Sequence, residues 1–315
     1  MSWLITGGTG FVGQALTRRA LAEGKDVRLA LRRPIGHTTA RSLMVGQIDG
    51  HTRWQAALEG VDTVLHLAAR VHVMNEKAND PLNAFRDVNT AGTLNLARQA
   101  AAAGVRRLVF LSSIKVNGEH TAPGRPFTAD QPARPEDPYG QSKWEAEQGL
   151  RALGAETGLE VVIVRPPLVY GPGVRANFAA LLRAVERGWP LPLASVTGNR
   201  RSLVALDNLV DLLVTCADHP AAAHQTFLVS DGEDLSTAGL LLRMANALNR
   251  PPRLLPLPPA LLRLGAATLG RKAVVQRLLD NLQVDITATR QTLDWQPPIT
   301  FDEGMRRAVA GLRIP

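Results

Sequence analysis

The stretch Thr6-Gly7-Gly8-Thr9-Gly10-Phe11-Val12-Gly13 follows the short apolar run Trp3-Leu4-Ile5 and leads into an amphipathic run. The order is that of a strand, a glycine turn and a helix. The spacing of Gly8, Gly10 and Gly13 suits a tight turn, a close approach of backbone to a pyrophosphate, and close packing of helix on strand. The helix N-terminus then offers free N–H groups to phosphates. Glycines also make ordinary turns, but this context predicts dinucleotide binding.

The first half of the chain continues this alternation of strands and helices. Apolar runs predict strands at 27–31, 61–67, 107–111 and 161–164, and helical stretches cover 54–58, 81–103 and 138–157. Short buried strands that alternate with helices indicate a parallel sheet with helices on both faces. We therefore predict an α/β fold with a doubly wound Rossmann sheet.

The pattern changes after Arg165-Pro166-Pro167. We expect a helix at 178–187, a strand at 201–206, and a helix at 207–217 with Asp207 as a candidate cap. Residues 226–230 resemble a strand that could rejoin the main sheet, and the chain from 236 is mostly helical. The predicted domains are 1–168 with 206–231 for the dinucleotide, and 169–205 with 232–315 as a smaller, interleaved lobe for the substrate.

Composition excludes some classes of protein. The single cysteine, Cys216, allows no intrachain disulfide, which favours a reducing, cytoplasmic compartment. No signal peptide is visible at the start, and no apolar run reaches the roughly 18 residues of a membrane span, so we expect no membrane insertion. The net charge of +8 comes almost entirely from arginines spread along the chain, without interleaved aromatics. We therefore expect no nucleic-acid partner, whereas an anionic small substrate is compatible.

Tyr139 and Lys143 carry the first sign of chemistry. Asp137 is a plausible N-cap and Pro138 suits the first helical position, so Tyr139 and Lys143 fall at i and i+4 on one helix face. A phenol has a pKa of about 10. A nearby ammonium would lower that pKa and make the phenol an acid/base for an alcohol or a carbonyl.

Ser112 and Ser113 follow the predicted strand 107–111. The carboxyl ends of parallel strands are where ligands bind in such sheets. A hydroxyl there can donate a hydrogen bond to a substrate oxygen beside the phenol. Turn serines are common, so the argument depends on all three residue types together.

The set of motifs resembles the extended short-chain dehydrogenase/reductase family, in its nucleotide-sugar epimerase, dehydratase and reductase branch. The motifs occur in order over almost the whole chain: residues 6–13, 66–69, Asn89 with Gly92-Thr93, 111–113, 139–143, Arg165-Pro166, 170–173 and 282–295. The resemblance implies a Rossmann domain with a nicotinamide cofactor, a C-terminal lobe for a UDP-sugar, and a homodimer built from the helices around 89–103 and 138–157.

The resemblance also implies roles for individual residues. Ser113, Tyr139 and Lys143 would be catalytic, and Lys143 would also hold the nicotinamide ribose. The expected cofactor contacts are Gly7, Gly10, Phe11, Val12, Gly13, Arg32, Arg33, Ile48, Asp49, Leu67, Ala68, Ala69, Asn89, Ser112, Tyr139, Lys143 and Pro166. The expected substrate contacts are Ser113, Lys115, Asn117, Asn177, Arg201 and Arg277, with Arg271 as the alternative to Arg277 for a second phosphate-binding arginine.

Two departures from the family pattern bear on the reaction. Val116-Asn117-Gly118 stands where the family has Val-Tyr-Gly, which leaves the sugar open. The second predicted strand ends Leu31-Arg32-Arg33-Pro34, without the carboxylate that binds an NAD ribose, so we expect NADP(H) rather than NAD(H).

The expected preference for NADP(H) favours a reductase, which takes up fresh NADPH in each turnover. The family's dehydratases carry an acidic pair beside the catalytic residues, and Ile114-Lys115 stands there instead. The sequence-based expectation is therefore reduction of a UDP-4-keto-6-deoxy-HexNAc for O-antigen assembly, with no metal. A UDP-glucose or UDP-HexNAc 4-epimerase with tightly bound NAD is the main alternative, and a non-catalytic redox-sensing regulator is the remote one, since such regulators typically lack the Tyr/Lys pair.

Overall fold

A computed structural model describes residues 1–34, 36, 39–71, 80–268 and 272–312, without the side chains of 266–268 and 272–274. The strands are β1 Ser2–Thr6, β2 Asp26–Leu31, β3 Arg41–Met44, β4 Thr63–His66, β5 Arg107–Leu111, β6 Glu160–Arg165, β7 Leu168–Tyr170, β8 Arg201–Ala205, β9 Thr226–Leu228 and β10 Asp234–Leu235. Within those ranges, no helix is both long and apolar enough to cross a bilayer.

The helices of the same ranges are α1 Phe11–Ala22, α2 Gln55–Leu58, α3 Pro81–Arg86, α4 Thr93–Ala102, α5 Pro138–Thr157, α6 Ala176–Glu186, α7 Leu206–Asp218, α8 Thr237–Leu248, α9 Pro259–Thr268, α10 Lys272–Leu279, α11 Thr287–Leu293 and α12 Phe301–Leu312. A π-helical segment, Asp87–Gly92, joins α3 to α4, and 3₁₀ turns cover Ile114–Val116 and Pro220–Ala222.

Seven parallel strands form the main sheet in the order β3-β2-β1-β4-β5-β6-β9. The order reverses between β1 and β4, which is the switch point of a doubly wound sheet. Apolar residues of α1 and α7 cover one face, and those of α4 and α5 cover the other. The predicted Rossmann fold is therefore confirmed.

A smaller sheet, in the order β10-β8-β7, organises the second lobe with α6, α8 and α12 around a core of its own. The strand β9 returns to the main sheet and pairs with β6. Leu293 and Trp295 also pack into the core of the main sheet, although they fall inside the predicted range 232–315. The domain boundaries themselves stay a prediction.

Two local expectations were wrong, and one strand was not predicted. The helix expected at 81–103 is interrupted, because residues 87–92 widen into a π-helix. Ala205, not Asp207, is the N-cap of α7, and Asp207 lies in the first turn of that helix. The edge strand β3 was not predicted, because its residues are mostly exposed and carry no apolar alternation.

Candidate active site

The glycine turn between β1 and α1 has a backbone path that side chains would block. Gly7 has φ of +70°, and a Cβ added there would lie 2.7 Å from the backbone nitrogen of Ala68. A Cβ on Gly13 would lie 2.1 Å from the carbonyl oxygen of Gly7. Gly10 is the N-cap of α1 and no side chain caps this helix, so the N–H groups around Phe11 and Val12 face outward. This cradle suits a pyrophosphate.

The segment after β4 borders the same turn. The backbone N–H of Ala68 donates to Thr6 Oγ1 at 3.1 Å, and Leu67 and Ala69 are half-buried beside it. Asn89 fixes the end of this segment, because its amide pairs with both backbone groups of Arg70, at 2.8 and 3.0 Å.

Asn89 is fully buried in the π-helical segment and also donates to Ser142 Oγ at 3.0 Å. Thr90 Oγ1 donates to the backbone oxygen of Ser142 at 2.9 Å. These bonds tie the edge of the cofactor region to α5. Asn89 therefore acts here as a structural clamp.

The end of β2 carries two arginines and no carboxylate. Arg32 and Arg33 are exposed, and neither forms a hydrogen bond or an ion pair within the described ranges. Farther along the chain, Ile48 contacts Gly92, and Asp49 is the next residue. The carboxylate of Asp49 accepts hydrogen bonds from the backbone of His51 and from Thr52, which lowers its pKa.

The two serine hydroxyls that follow β5 have different hydrogen-bond partners. Ser112 is buried and donates to Glu147 at 2.5 Å, so its hydroxyl is used inside the protein rather than toward a cofactor. Ser113 is half-buried and caps the next 3₁₀ turn by accepting from the backbone N–H of Lys115 at 3.3 Å. The proton of the Ser113 hydroxyl stays available to an oxygen in the cleft. Pro166 is buried behind them, and its carbonyl accepts from Ile114.

The helix α5 begins as predicted. Asp137 accepts from the backbone N–H of Gly140 at 2.6 Å, and Pro138 is the first helical residue. Gly140 allows the helix to approach the Ser113 turn closely, since a Cβ there would lie 2.8 Å from the oxygen of Lys115. The glycine thus brings Tyr139 to the carboxyl end of β5.

Tyr139 is half-buried and packs edge-on against Phe85, with ring centroids 6.0 Å apart. Lys143 is 1 % exposed, and its Nζ lies 3.9 Å from the ring centroid of Phe110. Within the described ranges, Lys143 Nζ has no hydrogen-bond acceptor. A buried ammonium without an acceptor fits a ribose hydroxyl or another polar group of a bound cofactor.

The electrostatics of the pair differ from the expectation. Burial, aided by Asp137, raises the pKa of Tyr139 to about 12. Burial also lowers the pKa of Lys143 to about 7, although the carboxylate of Glu147 opposes this shift. In the chain alone the pKa of Tyr139 is therefore raised, and not lowered as expected, because desolvation is the largest cause of the shift.

A buried polar cluster that the sequence argument missed lies under these residues. Glu147 is fully buried and accepts from Arg165 at 2.9 and 2.5 Å and from Ser112. Arg165 also donates to Asn117 at 3.0 Å. The i, i+4 spacing from Lys143 to Glu147 on α5 was the signal that could have found it.

Two of the expected sugar contacts have hydrogen-bond or ion-pair partners within the protein. Asn117 is buried, accepts from Arg165 and donates to the oxygen of Thr128 at 2.9 Å, so it does not face a sugar pocket. Lys115 is paired with Glu119, at 2.6 Å, and with Asp137. Lys115 therefore ties the turn after Ser113 to Asp137 at the start of α5, and Asn117 ties it to Arg165 on β6 and to Thr128.

The other expected substrate contacts lie in the second lobe. Arg201 Nη1 donates to the oxygen of Asp280 at 3.1 Å. Burial lowers the pKa of Arg201, and the nearby positive charge of Arg277 adds to this effect. The two arginines are thus close enough for their charges to affect each other. Asn177 is exposed in the first turn of α6, and Arg271 lies outside the described residues.

A cavity of about 460 Å³ opens beside Asp280, whose backbone oxygen accepts the hydrogen bond from Arg201. Its lining includes Thr121, Asn199, Asp280 and Asn281. Elsewhere in the described ranges, no group of three or more His, Cys, Asp or Glu residues is placed to hold a metal ion.

The sheet, the glycine cradle and the Ser113, Tyr139 and Lys143 side chains define the class: an extended short-chain dehydrogenase/reductase. The profile described as the NAD dependent epimerase/dehydratase family matches residues 3–230. The chain belongs to that family.

Individual relatives agree with the assignment. A UDP-glucose 4-epimerase of Vibrio cholerae is 49% identical over 307 residues, covering 97% of this chain and 94% of its own. A UDP-glucose 4-epimerase of Mycolicibacterium smegmatis is 31% identical over 332 residues, covering 99% of both chains. A solved structure titled MoeE5 in complex with UDP-glucose and NAD superposes with a TM-score of 0.78 at 23% identity, covering 99% of both chains.

Proposed function

We propose that this chain is a UDP-sugar 4-epimerase that keeps NAD bound through turnover. The observation that carries the proposal is the 49% identity with a UDP-glucose 4-epimerase over nearly the whole length of both chains. The reductase expected from the sequence is the second candidate, for the reason given below.

The geometry fits a nicotinamide dinucleotide. The glycine cradle would hold its pyrophosphate, and Lys143, which has no described acceptor, would hold a ribose hydroxyl. When bound, the cofactor supplies a site that accepts hydride from the sugar C4 and returns it. The described residues around Ser113 place no acidic pair for dehydration beside it, because Glu119 and Asp137 are both bound to Lys115.

Tyr139 is the proposed acid/base for the C4 oxygen. At neutral pH its phenol holds a proton, since its pKa is about 12 in the chain alone. Lys143 has a pKa of about 7, so its charge responds to what binds beside it. Any added positive charge in the pocket lowers the pKa of Tyr139 and makes the phenol a better proton donor and acceptor. Ser113 donates to the same sugar oxygen, and Arg201 with Arg277 binds the diphosphate.

Tyr139→Phe tests this assignment. We expect the variant to lose at least about 10²-fold in turnover, which is the typical contribution of one acid/base group, while it keeps bound cofactor. The matched control is Tyr170→Phe, because Tyr170 donates to Asp231 and to the Phe301 oxygen inside the second lobe. That control should lower the melting temperature and leave turnover per folded molecule unchanged. Near-wild-type turnover in Tyr139→Phe would contradict the mechanism.

The 4-keto reductase stays a second candidate because of Arg32 and Arg33. Two exposed guanidiniums without described partners suit the 2′-phosphate of NADP(H), and the end of β2 offers no carboxylate for the ribose of NAD. A reductase consumes NADPH in each turnover, whereas an epimerase does not.

The cofactor that co-purifies separates the two candidates. Stoichiometric NAD, with interconversion of UDP-glucose and UDP-galactose or of the HexNAc pair without added reductant, supports the epimerase. Consumption of NADPH only with a UDP-4-keto sugar supports the reductase and excludes the epimerase. A homodimer through α4 and α5 also remains a prediction, which sedimentation velocity tests.

A further inference from the structure

The basic residues are spread along the chain, but the excess of basic over acidic residues falls mainly in one stretch of the second lobe. Between residues 235 and 279 there are seven Lys or Arg residues and no Asp or Glu, which accounts for +7 of the net charge of +8. The basic residues are not consecutive, and the stretch itself contains no acid, although Arg243 pairs with Glu233 and Asp302 and Arg263 pairs with Asp280 from outside it. An arrangement of this kind produces a local positive field that attracts anionic partners.

Large apolar side chains are exposed in the same region. The exposed fraction is 52% for Leu255, 51% for Leu261 and 64% for Leu264, and Trp189 is 55% exposed. Leu261 and Leu264 are three residues apart on the outer side of α9, whereas Leu262 between them packs on the core of the lobe. An amphipathic helix whose leucines face outward marks an interaction surface rather than a core element.

Backbone hydrogen bonds bring the two parts of this surface together. Leu191 N donates to the oxygen of Arg253 at 2.9 Å, and Leu255 N donates to the oxygen of Leu191 at 2.8 Å. Trp189 therefore lies beside residues 253–255, which lead directly to Pro259 at the start of α9. The guanidinium of Arg187 lies 5.5 Å from the ring centroid of Trp189. We define the α9 face as Trp189, Arg250, Arg253, Leu255, Leu261 and Leu264.

We propose that the α9 face docks this protein reversibly on an anionic lipid bilayer. Leucines and a tryptophan can enter the boundary between head groups and acyl chains, while the flanking arginines bind lipid phosphates. Arg250 and Arg253 are exposed, and nothing acidic in residues 235–279 competes for them. A nucleic-acid surface would use the arginines but would leave the leucines in water, and so it fits the face less well.

Cosedimentation with vesicles tests the proposal. We expect the full-length enzyme to bind vesicles of phosphatidylglycerol and phosphatidylethanolamine, and not vesicles of phosphatidylcholine alone. Leu261→Gln with Leu264→Gln should abolish binding. Arg250→Gln with Arg253→Gln should weaken it about 25-fold, since each basic residue near an anionic surface is worth about fivefold. Turnover with a soluble UDP-sugar should remain unchanged in both double variants, which shows that they fold.

Matched controls come from the other lobe. Met44 is 53% exposed on β3, and Arg98 is exposed on α4. Met44→Gln with Arg98→Gln removes one apolar and one basic side chain and should leave vesicle binding intact. Equal binding by the leucine variant and this control would overturn the proposal, as would no binding to the anionic vesicles.

Two other partners of the α9 face, a nucleic acid and a second copy of the chain, would give different results. If duplex DNA binds and only the arginine variant loses that binding, while vesicles are ignored, the face serves a nucleic acid and the lipid proposal is wrong. If sedimentation velocity detects an oligomer that only the leucine variant dissociates, the face is covered by a second copy of the chain, which also overturns docking on lipid.

Discussion

Breaking the buried pair of Glu147 and Arg165 from one side should strongly destabilise the fold. Glu147 is fully buried and Arg165 is 2 % exposed, so Glu147→Gln keeps the shape but leaves the guanidinium without its countercharge. Breaking such a pair from one side costs about 3–5 kcal/mol. For a chain of 315 residues, an unfolding entropy of about 2.1 cal/mol/K per residue converts this cost into a fall of about 5–8 °C in melting temperature.

Differential scanning calorimetry at neutral pH measures this fall. The matched control is Glu145→Gln, two residues earlier on α5, which breaks the ion pair with the partly exposed Arg86. Surface pairs contribute about 0–1 kcal/mol, so the control should lose less than about 2 °C. The double variant Glu147→Leu, Arg165→Met should recover most of the loss, since no charge is left buried. Equal melting temperatures for Glu147→Gln and Glu145→Gln would refute the reasoning.

Two further predictions concern the cradle and the buried lysine. Gly13→Ala should abolish NAD binding measured by calorimetric titration, because the added methyl meets the Gly7 oxygen at 2.1 Å, whereas Gly265→Ala, with no atom within 4 Å, should bind normally. The pKa of Lys143 is about 7 in the fold and 10.5 ordinarily, so the unfolded chain binds more protons between these values. The free energy of unfolding of the wild type, relative to that of Lys143→Met, should therefore rise by about 1.4 kcal/mol per pH unit from about pH 7 to about pH 10. Urea titrations of both proteins at several pH values measure this difference. A flat difference would contradict the pKa.

Much of the fold was predictable because its signals are local. The helix α5 has the predicted bounds, since Asp137 and Pro138 start it and Gly158, with φ of 75°, ends it. The strand β5 has its predicted bounds too, as an apolar run between turn residues. The π-helical segment was not predictable, because it depends on Asn89 and Thr90 reaching Ser142 on another helix.

The residues of the candidate site also fall into those that the local sequence predicts and those that it does not. Gly7 and Gly13, and the spacing of Tyr139 and Lys143, could be interpreted from the sequence, because backbone dihedrals and the helical repeat depend only on near neighbours. The hydrogen-bond partners of Ser112 and Asn117 could not be predicted from the sequence, because the Ser112 hydroxyl and the Asn117 amide could each have faced a ligand instead. Their partners, Glu147 and Arg165, are 35 and 48 residues away and meet them only when β5, α5 and β6 pack together.

The residue types and their order therefore predicted the family, the nucleotide turn and the pair of Tyr139 and Lys143. The protonation of that pair depended on the packing of distant elements, since desolvation is set by what surrounds a group and not by its position in the chain. Burial of Lys143, whose Nζ lies over the ring of Phe110, lowers its pKa to about 7, and the carboxylate of Glu147 opposes this shift. The packing of the second lobe likewise decides that Leu262 of α9 lies against its core while Leu261 and Leu264 are exposed.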